Sequence, residues 1–353
     1  MSWLIALSDF FLYVMLAFLA GDVVLRSVKS EKKPLVEVPK KLLLLALALI
    51  PLLLAPPVIQ LILLLSDSFG PAQAVVDVAT EFRAGQSYVF GVLMAVAWLI
   101  VVWRNGSWVF RAFWLVLSVL NAAYASHAAS IADWQGFAGH AIHFLALVLW
   151  AGVLIHIAWF LRDGRNWRAF LKWFTPFSIA MMILLIGSGI WLMLFFVAPE
   201  DYASSWILPY GQLLLLKHLS IVPLLLAAFI NAFLSRSDAP NRAWLKVESS
   251  LLLLVLLITA FMSKLAPPHN INETFRVEGS APFIEWLAGP QYLPVHAVWT
   301  PNIDAFLMLS IGLIFLGLQW LSYRKQLPEW LSFIFGLGFV VSVYTGLMFS
   351  FLF

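Results

Sequence analysis

Cysteine is absent from the 353 residues, and charge is scarce at 11% Asp, Glu, Lys and Arg. The first absence excludes disulfides, iron–sulfur clusters and thiolate metal sites, so any metal has to be met by imidazole, thioether or oxygen. The second excludes a water-soluble domain, which carries roughly 25% charged residues. With 63% apolar residues the solvent of this chain is lipid. A Gly-x-x-x-x-Gly-Lys-Ser/Thr phosphate loop is also missing, as is a long polar segment able to bind nucleotide, which argues against an ATP-driven pump. No nucleophile–base constellation stands out, so the chain reads as a non-enzyme. The net charge of +3 is spread over short connections and offers no nucleic-acid surface.

What is present is a series of apolar runs of membrane-spanning length. Ten are predicted, at about 3–25, 41–65, 86–103, 110–131, 137–161, 174–198, 211–234, 244–266, 303–323 and 328–352. The fold class is therefore all-α, a polytopic transmembrane helical bundle. The first run is not read as a signal peptide, because it lacks a basic start and Asp9 and Asp22 interrupt it. Five alternate connections, 26–41, 104–111, 162–172, 235–246 and 324–327, hold 17 of the 21 Lys/Arg. Positive charge stays on the cytoplasmic side. The expected placement is the cytoplasmic (inner) membrane, multi-pass, with both termini outside. The 17 tryptophans suit the headgroup level on either side.

Two outer connections are long. Residues 66–85 contain Gly70-Pro71 and few large apolar groups, and residues 267–302 are rich in Pro, Gly and Asn, with one short interfacial helix expected near Pro282–Leu287. Pro51, Pro56 and Pro57 are expected to kink the second span, and Pro223 the seventh, by removing a donor and crowding the preceding turn.

Seven histidines carry most of the chemistry: His127, His140, His143, His156, His218, His269 and His296. On the expected topology only His156 lies toward the cytoplasm. His140 and His143, three apart, share a helix face. His127 is expected to end the preceding helix, about eight residues before the next begins, and His218 to lie at similar depth in the seventh span. Imidazoles from three helices would then converge below the outer surface as a metal site of His127, His140, His143 and His218. Imidazole binds copper, zinc, iron and nickel, and thioether adds preference for Cu(I), so Met193, Met262, Met308 and Met348 in outer halves are secondary candidates. Each has a blander reading. A helix-end histidine is an ordinary interfacial group, Lys217 beside His218 disfavours a metal, and methionines in apolar helices usually pack. His269 and His296 read as surface or capture residues, and His156 as a hydrogen-bonded structural residue. Lys264 and Asp304 can snorkel. Glu248 is expected to pair with a loop arginine. Asp9 and Lys217 are deeper and their roles stay open.

An ordered set of motifs runs from Ser126-His127-Ala128 through Ile142-His143 and Trp150-Ala151-Gly152 to Tyr210-Gly211, Leu216-Lys217, Asn231, Glu248, Thr259-Ala260 and Pro267-Pro268. This set resembles the copper resistance protein D (CopD) family of bacterial inner-membrane proteins over about 120–270. The resemblance implies copper as the ion handled and movement across the inner membrane, inward from the outer side. His140 departs from the acidic residue expected there. A fused copper-binding β-domain of the CopC type, present in some relatives, is not found here, so a separate CopC-type carrier outside the membrane is an expected partner besides lipid. The chain is then divided into a three-helix segment 1–109, a CopD-like core 110–268, an outer loop 269–302 and a two-helix segment 303–353. Two other functions fit helical histidines: a b-type cytochrome with haem clamped by two of them, and an assembly factor that hands copper on without transport.

Overall fold

The computed structural model describes residues 2–234, 239–268 and 270–353. Helices in chain order are α1 Ser2–Ser27, α2 Lys40–Phe69, α3 Pro71–Glu81, α4 Arg83–Trp103, α5 Trp108–Tyr124, α6 His127–Phe160, α7 Trp167–Leu194, α8 Pro209–Phe229, α9 Arg242–Met262, α10 Ile271–Glu278, α11 Pro282–Ala288, α12 Ile303–Arg324 and α13 Glu329–Phe349. A π-helical turn, Ile230–Leu234, prolongs α8. Nine of the described helices are long and apolar enough to cross a membrane, and α5, with 17 residues, is apolar but shorter. The protein is an all-α polytopic bundle, as the apolar pattern predicts. Its contacts form two compact units, residues 2–192 with 239–240, and residues 193–234 with 241–353.

In the first unit α1 and α6 meet at glycine. A Cβ on Gly152 would lie 2.2 Å from the Ala17 carbonyl oxygen, and one on Gly21 would lie 2.3 Å from that of Gly152. Small residues let membrane helices approach this closely, and close packing replaces the hydrophobic drive that lipid cannot supply. Next to Gly21, the Asp22 carboxylate of α1 sits 2.6 Å from the Arg111 guanidinium of α5, with Arg111 2% exposed. Arg26 holds the other Asp22 oxygen at 2.7 Å. A buried charge survives only when paired. The pair therefore locks α5 against α1.

The same end of this unit collects its basic connections. Lys40 Nζ donates to the Trp103 carbonyl at 2.6 Å, Arg162 lies 3.4 Å from Glu37, and Trp173 Nε1 donates to the Lys32 carbonyl at 2.8 Å. Strands β1 Leu35–Val36 and β2 Leu161–Asp163 pair there as a short antiparallel ribbon. At the opposite end Tyr124 donates to Gln86 Oε1 at 2.6 Å, and Arg83 donates to the Ala129 carbonyl at 2.7 Å. Helix α5 therefore runs antiparallel to α4 over its full length.

The second unit packs α8, α9, α12 and α13, with α12 and α13 forming a close hairpin around Gly312 and Gly346. Over one end, α10 and α11 fold down so that Ile271 and Ile284 join Trp206, Ile207, Leu208 and Met348 in one buried cluster. Strands β3 Val298–Trp299 and β4 Phe351–Leu352 pair antiparallel at that end.

Several boundaries differ from expectation. Residues 66–85 are helical: α2 runs on to Phe69, Gly70 turns the chain at φ 82°, and Pro71 opens α3. Glycine tolerates that φ and proline suits a first helical turn. The second long connection holds two helices and a strand rather than one short helix. Helix α2 holds Pro51, Pro56 and Pro57 within the one span expected there. His127 does not end a helix. Ser126 caps the next one, its Oγ accepting from Ala129 N–H at 3.2 Å, so His127 opens α6. Serine is a preferred helix-starting residue because its side chain satisfies an orphan amide. Helix α6 then bends at Ala132 and Asp133, whose φ is 41°, before its long apolar run.

Candidate functional site

Helix α6 carries four of the six described histidines, and their surroundings differ. His127 is exposed at its start. His140 and His143 follow the bend, with the His140 ring 6.0 Å from that of Phe144. His143 reaches α7, where its Nδ1 lies 3.1 Å from Ser188 Oγ. The Ser188 hydroxyl hydrogen is committed to the Leu184 carbonyl of its own helix. A hydroxyl has one proton to donate, so Ser188 accepts from His143 Nδ1–H. The ring tautomer is then fixed, with the lone pair on Nε2, the arrangement a metal-ligating imidazole needs.

Glycine permits this contact. A Cβ on Gly189 would stand 3.2 Å from His143 Cε1, and one on Gly139 3.2 Å from Leu192 Cδ2. Ser188 and Gly189 are neighbours of His143 that sequence reading missed. The available signal was Gly187-Ser188-Gly189, three small residues with one hydroxyl inside an apolar helix, a pattern of interhelical contact.

His156 lies 13 residues further along α6, about 20 Å by helix geometry. It is 1% exposed, its Nδ1 donates to the Gly152 carbonyl at 2.8 Å, and Phe18 stacks on it at 4.9 Å. Its hydrogen bond stays within its own helix, as a structural histidine's would.

In the second unit His218 Nδ1 is 2.7 Å from Tyr202 Oη. Burial pushes the Tyr202 phenol up to about 12, so it stays protonated and can donate. With Tyr202 as donor, His218 carries its own proton on Nε2, opposite to His143. His296 is exposed, and His269 lies outside the described residues. Met193 and Met262 pack around Val197, Tyr210 and Leu214, and Met348 is fully buried, its Sδ 3.7 Å from Gln212 Nε2.

Among the described residues the partner of Glu248 is Asn231 rather than a loop arginine, and Arg236 lies outside them. The Glu248 carboxylate, 5% exposed, accepts from Asn231 Nδ2 at 2.7 Å, and Asn231 also donates to the Trp244 carbonyl at 3.1 Å. Asn231 stands in the π-helical turn, which rotates it off the regular helix face. That wider turn is why the pairing was not legible from spacing.

Among the described residues no group of three or more His, Asp or Glu is arranged to hold a metal ion. His143 stands against Ser188 of α7, with His140 one turn away on the same helix. Residues 168–262, from α7 to α9, match the family model described as copper resistance protein D (CopD). Lys217, His218, Asn231 and Glu248 fall inside that stretch; His127, His140 and His143 fall outside it. No curated protein and no solved structure matches the chain.

Proposed function

We propose that this protein carries copper inward across the cytoplasmic membrane, taking the ion from the outer side at His140 and His143. The observation that carries the reading is the His143–Ser188 hydrogen bond on a chain whose 168–262 stretch matches the copper resistance family. It supports a nitrogen lone pair held in fixed direction, at a depth the positive-inside bias puts near the outer face. In this reading α5 also crosses, giving ten crossings and both termini outside, and the basic end of the first unit faces the cytoplasm.

A pair of imidazoles suits an ion in transit. Conduction requires binding strong enough to enter and weak enough to leave, and a closed cage of three or four ligands would hold copper too well. His127, exposed at the start of α6, is placed as a first contact. His218, held by Tyr202 in the second unit, is left out of the proposed pair. Entry of a monovalent cation gains about 2.3 kcal/mol per 100 mV of inside-negative potential, enough to draw copper in without nucleotide. A CopC-type carrier outside the membrane would deliver the ion, or His296 on the outer connection would capture it directly.

The test is uptake of radiolabelled copper into vesicles holding the purified chain, with an absorption spectrum of the same sample. Saturable uptake that falls when His143 is changed supports transport. A Soret band would assign the histidines to haem instead, and copper binding without uptake would assign the chain to copper delivery.

A further inference from the structure

The core of the second unit holds polar groups that copper chemistry does not use. Helix α8 continues through Pro223, which has no N–H, so the Leu219 carbonyl one turn before it lacks its regular helical donor. Gln319 of α12, 0% exposed, packs at this turn. Its Nε2 donates to the Pro223 carbonyl at 3.2 Å, and its Oε1 has no donor among the described residues. Ser220, one turn before Pro223 on α8 and 0% exposed, likewise has an Oγ without a partner among them. A Cβ on Gly336 of α13 would lie 3.3 Å from Pro223 Cβ and 3.8 Å from Gln319 Nε2, so glycine keeps this place open.

Buried acceptors are normally satisfied, and leaving one unpaired is costly in an apolar interior. Here a fully buried amide oxygen, a fully buried hydroxyl and a carbonyl facing proline belong to one turn of one helix and the helix packed on it. Nothing about Gln319 Oε1 can be relieved by turning the amide over, because that would set two carbonyl oxygens against each other at Pro223. The polar series continues beyond this turn. Ser322 of α12 bonds Ser332 of α13, and Asn231 bonds Glu248 about 12 Å further along α8 from Pro223. Toward the start of α8, Gln212 bonds Tyr344 and contacts Met348.

We infer that the Pro223 turn of α8 is a binding site for a hard monovalent cation of the alkali class, held by Gln319 Oε1, the Leu219 carbonyl and Ser220 Oγ. The donors are oxygens without thioether or imidazole, which select hard cations and pass over Cu(I). They are neutral, which favours a single charge over a divalent ion. Carbonyls freed where a membrane helix is broken coordinate alkali ions for the same reason. A part for this ion in driving transport rests on the copper reading; the site itself does not.

The experiment is cation binding to the purified full chain in lipid nanodiscs, read as thermal stabilisation and as saturable binding of radioactive sodium. Sodium, potassium and choline chlorides are compared at constant ionic strength. The expected result is stabilisation by sodium or potassium over choline, reduced tenfold or more in apparent affinity by Gln319→Leu. The difference between the sodium and potassium arms identifies which alkali ion fits. Ser220→Ala removes one proposed oxygen and leaves the Gln319–Pro223 hydrogen bond in place, so it is expected to weaken binding severalfold. A choline sample as stable as the others, with no saturable sodium binding, would overturn the site. So would folded Gln319→Leu and Ser220→Ala chains that both bind with wild-type affinity. Copper uptake is measured separately, so cation binding without copper transport would fail the copper reading and leave this one standing.

Discussion

His143 and His156 stand on the same helix with the same proton placement, and they differ in what fixes it. His143 gives its Nδ1 proton to a serine on another helix, whereas His156 gives its own to the Gly152 carbonyl one turn back and lies under Phe18. One hydrogen bond depends on α7 staying where it is, and the other survives as long as α6 is helical. The first imidazole can therefore exchange a ligand when helices shift, and the second is sealed. The difference teaches that a fixed tautomer alone does not make a ligand; access decides.

The largest effect should come from closing the α1–α6 crossing. Gly152→Val puts a side chain where even a Cβ meets the Ala17 carbonyl oxygen at 2.2 Å, and the expected outcome is loss of folded protein in detergent extracts, seen by size-exclusion chromatography. Asp22→Ala should follow. It leaves Arg111 buried without its carboxylate, at a cost of about 3–5 kcal/mol, and the thermal midpoint of the purified protein should fall accordingly. His143→Ala should leave folding intact and lower copper uptake by about tenfold or more. His156→Phe should keep uptake near wild type, because a ring of similar size fills the space beside Phe18. Equal losses in the two histidine variants would erase the contrast drawn here. A loss smaller than that of His143→Ala is expected for Ser188→Ala, which frees the tautomer of His143 without removing the ring, and copper affinity should weaken severalfold with the fold unchanged.

The spans were legible because a bilayer imposes about 20 apolar residues on each crossing, and runs of that length stand out. The charged connections were legible for the same reason. The turn chemistry at 66–85 was present in the sequence as Gly70-Pro71, but the low apolar content of 71–81 concealed α3. His127 was misplaced by reading through Ser126, whose capping role is local and visible in hindsight. The partners of His143, Glu248 and Arg111 were not legible at all. Ser188, Asn231 and Asp22 lie 45, 17 and 89 residues away in sequence, and apolar periodicity carries no information about which polar groups meet across helices. The imidazole pair His140/His143 could be seen from spacing, while the proton placement that makes His143 useful could not.

The most direct measurement is copper uptake into proteoliposomes with an imposed inside-negative potential, comparing the wild-type chain with His143→Ala at equal protein incorporation. The account predicts saturable wild-type uptake that rises with the potential and falls about tenfold or more in the variant. Uptake by His143→Ala at the wild-type rate, in vesicles shown to hold folded protein, would contradict it.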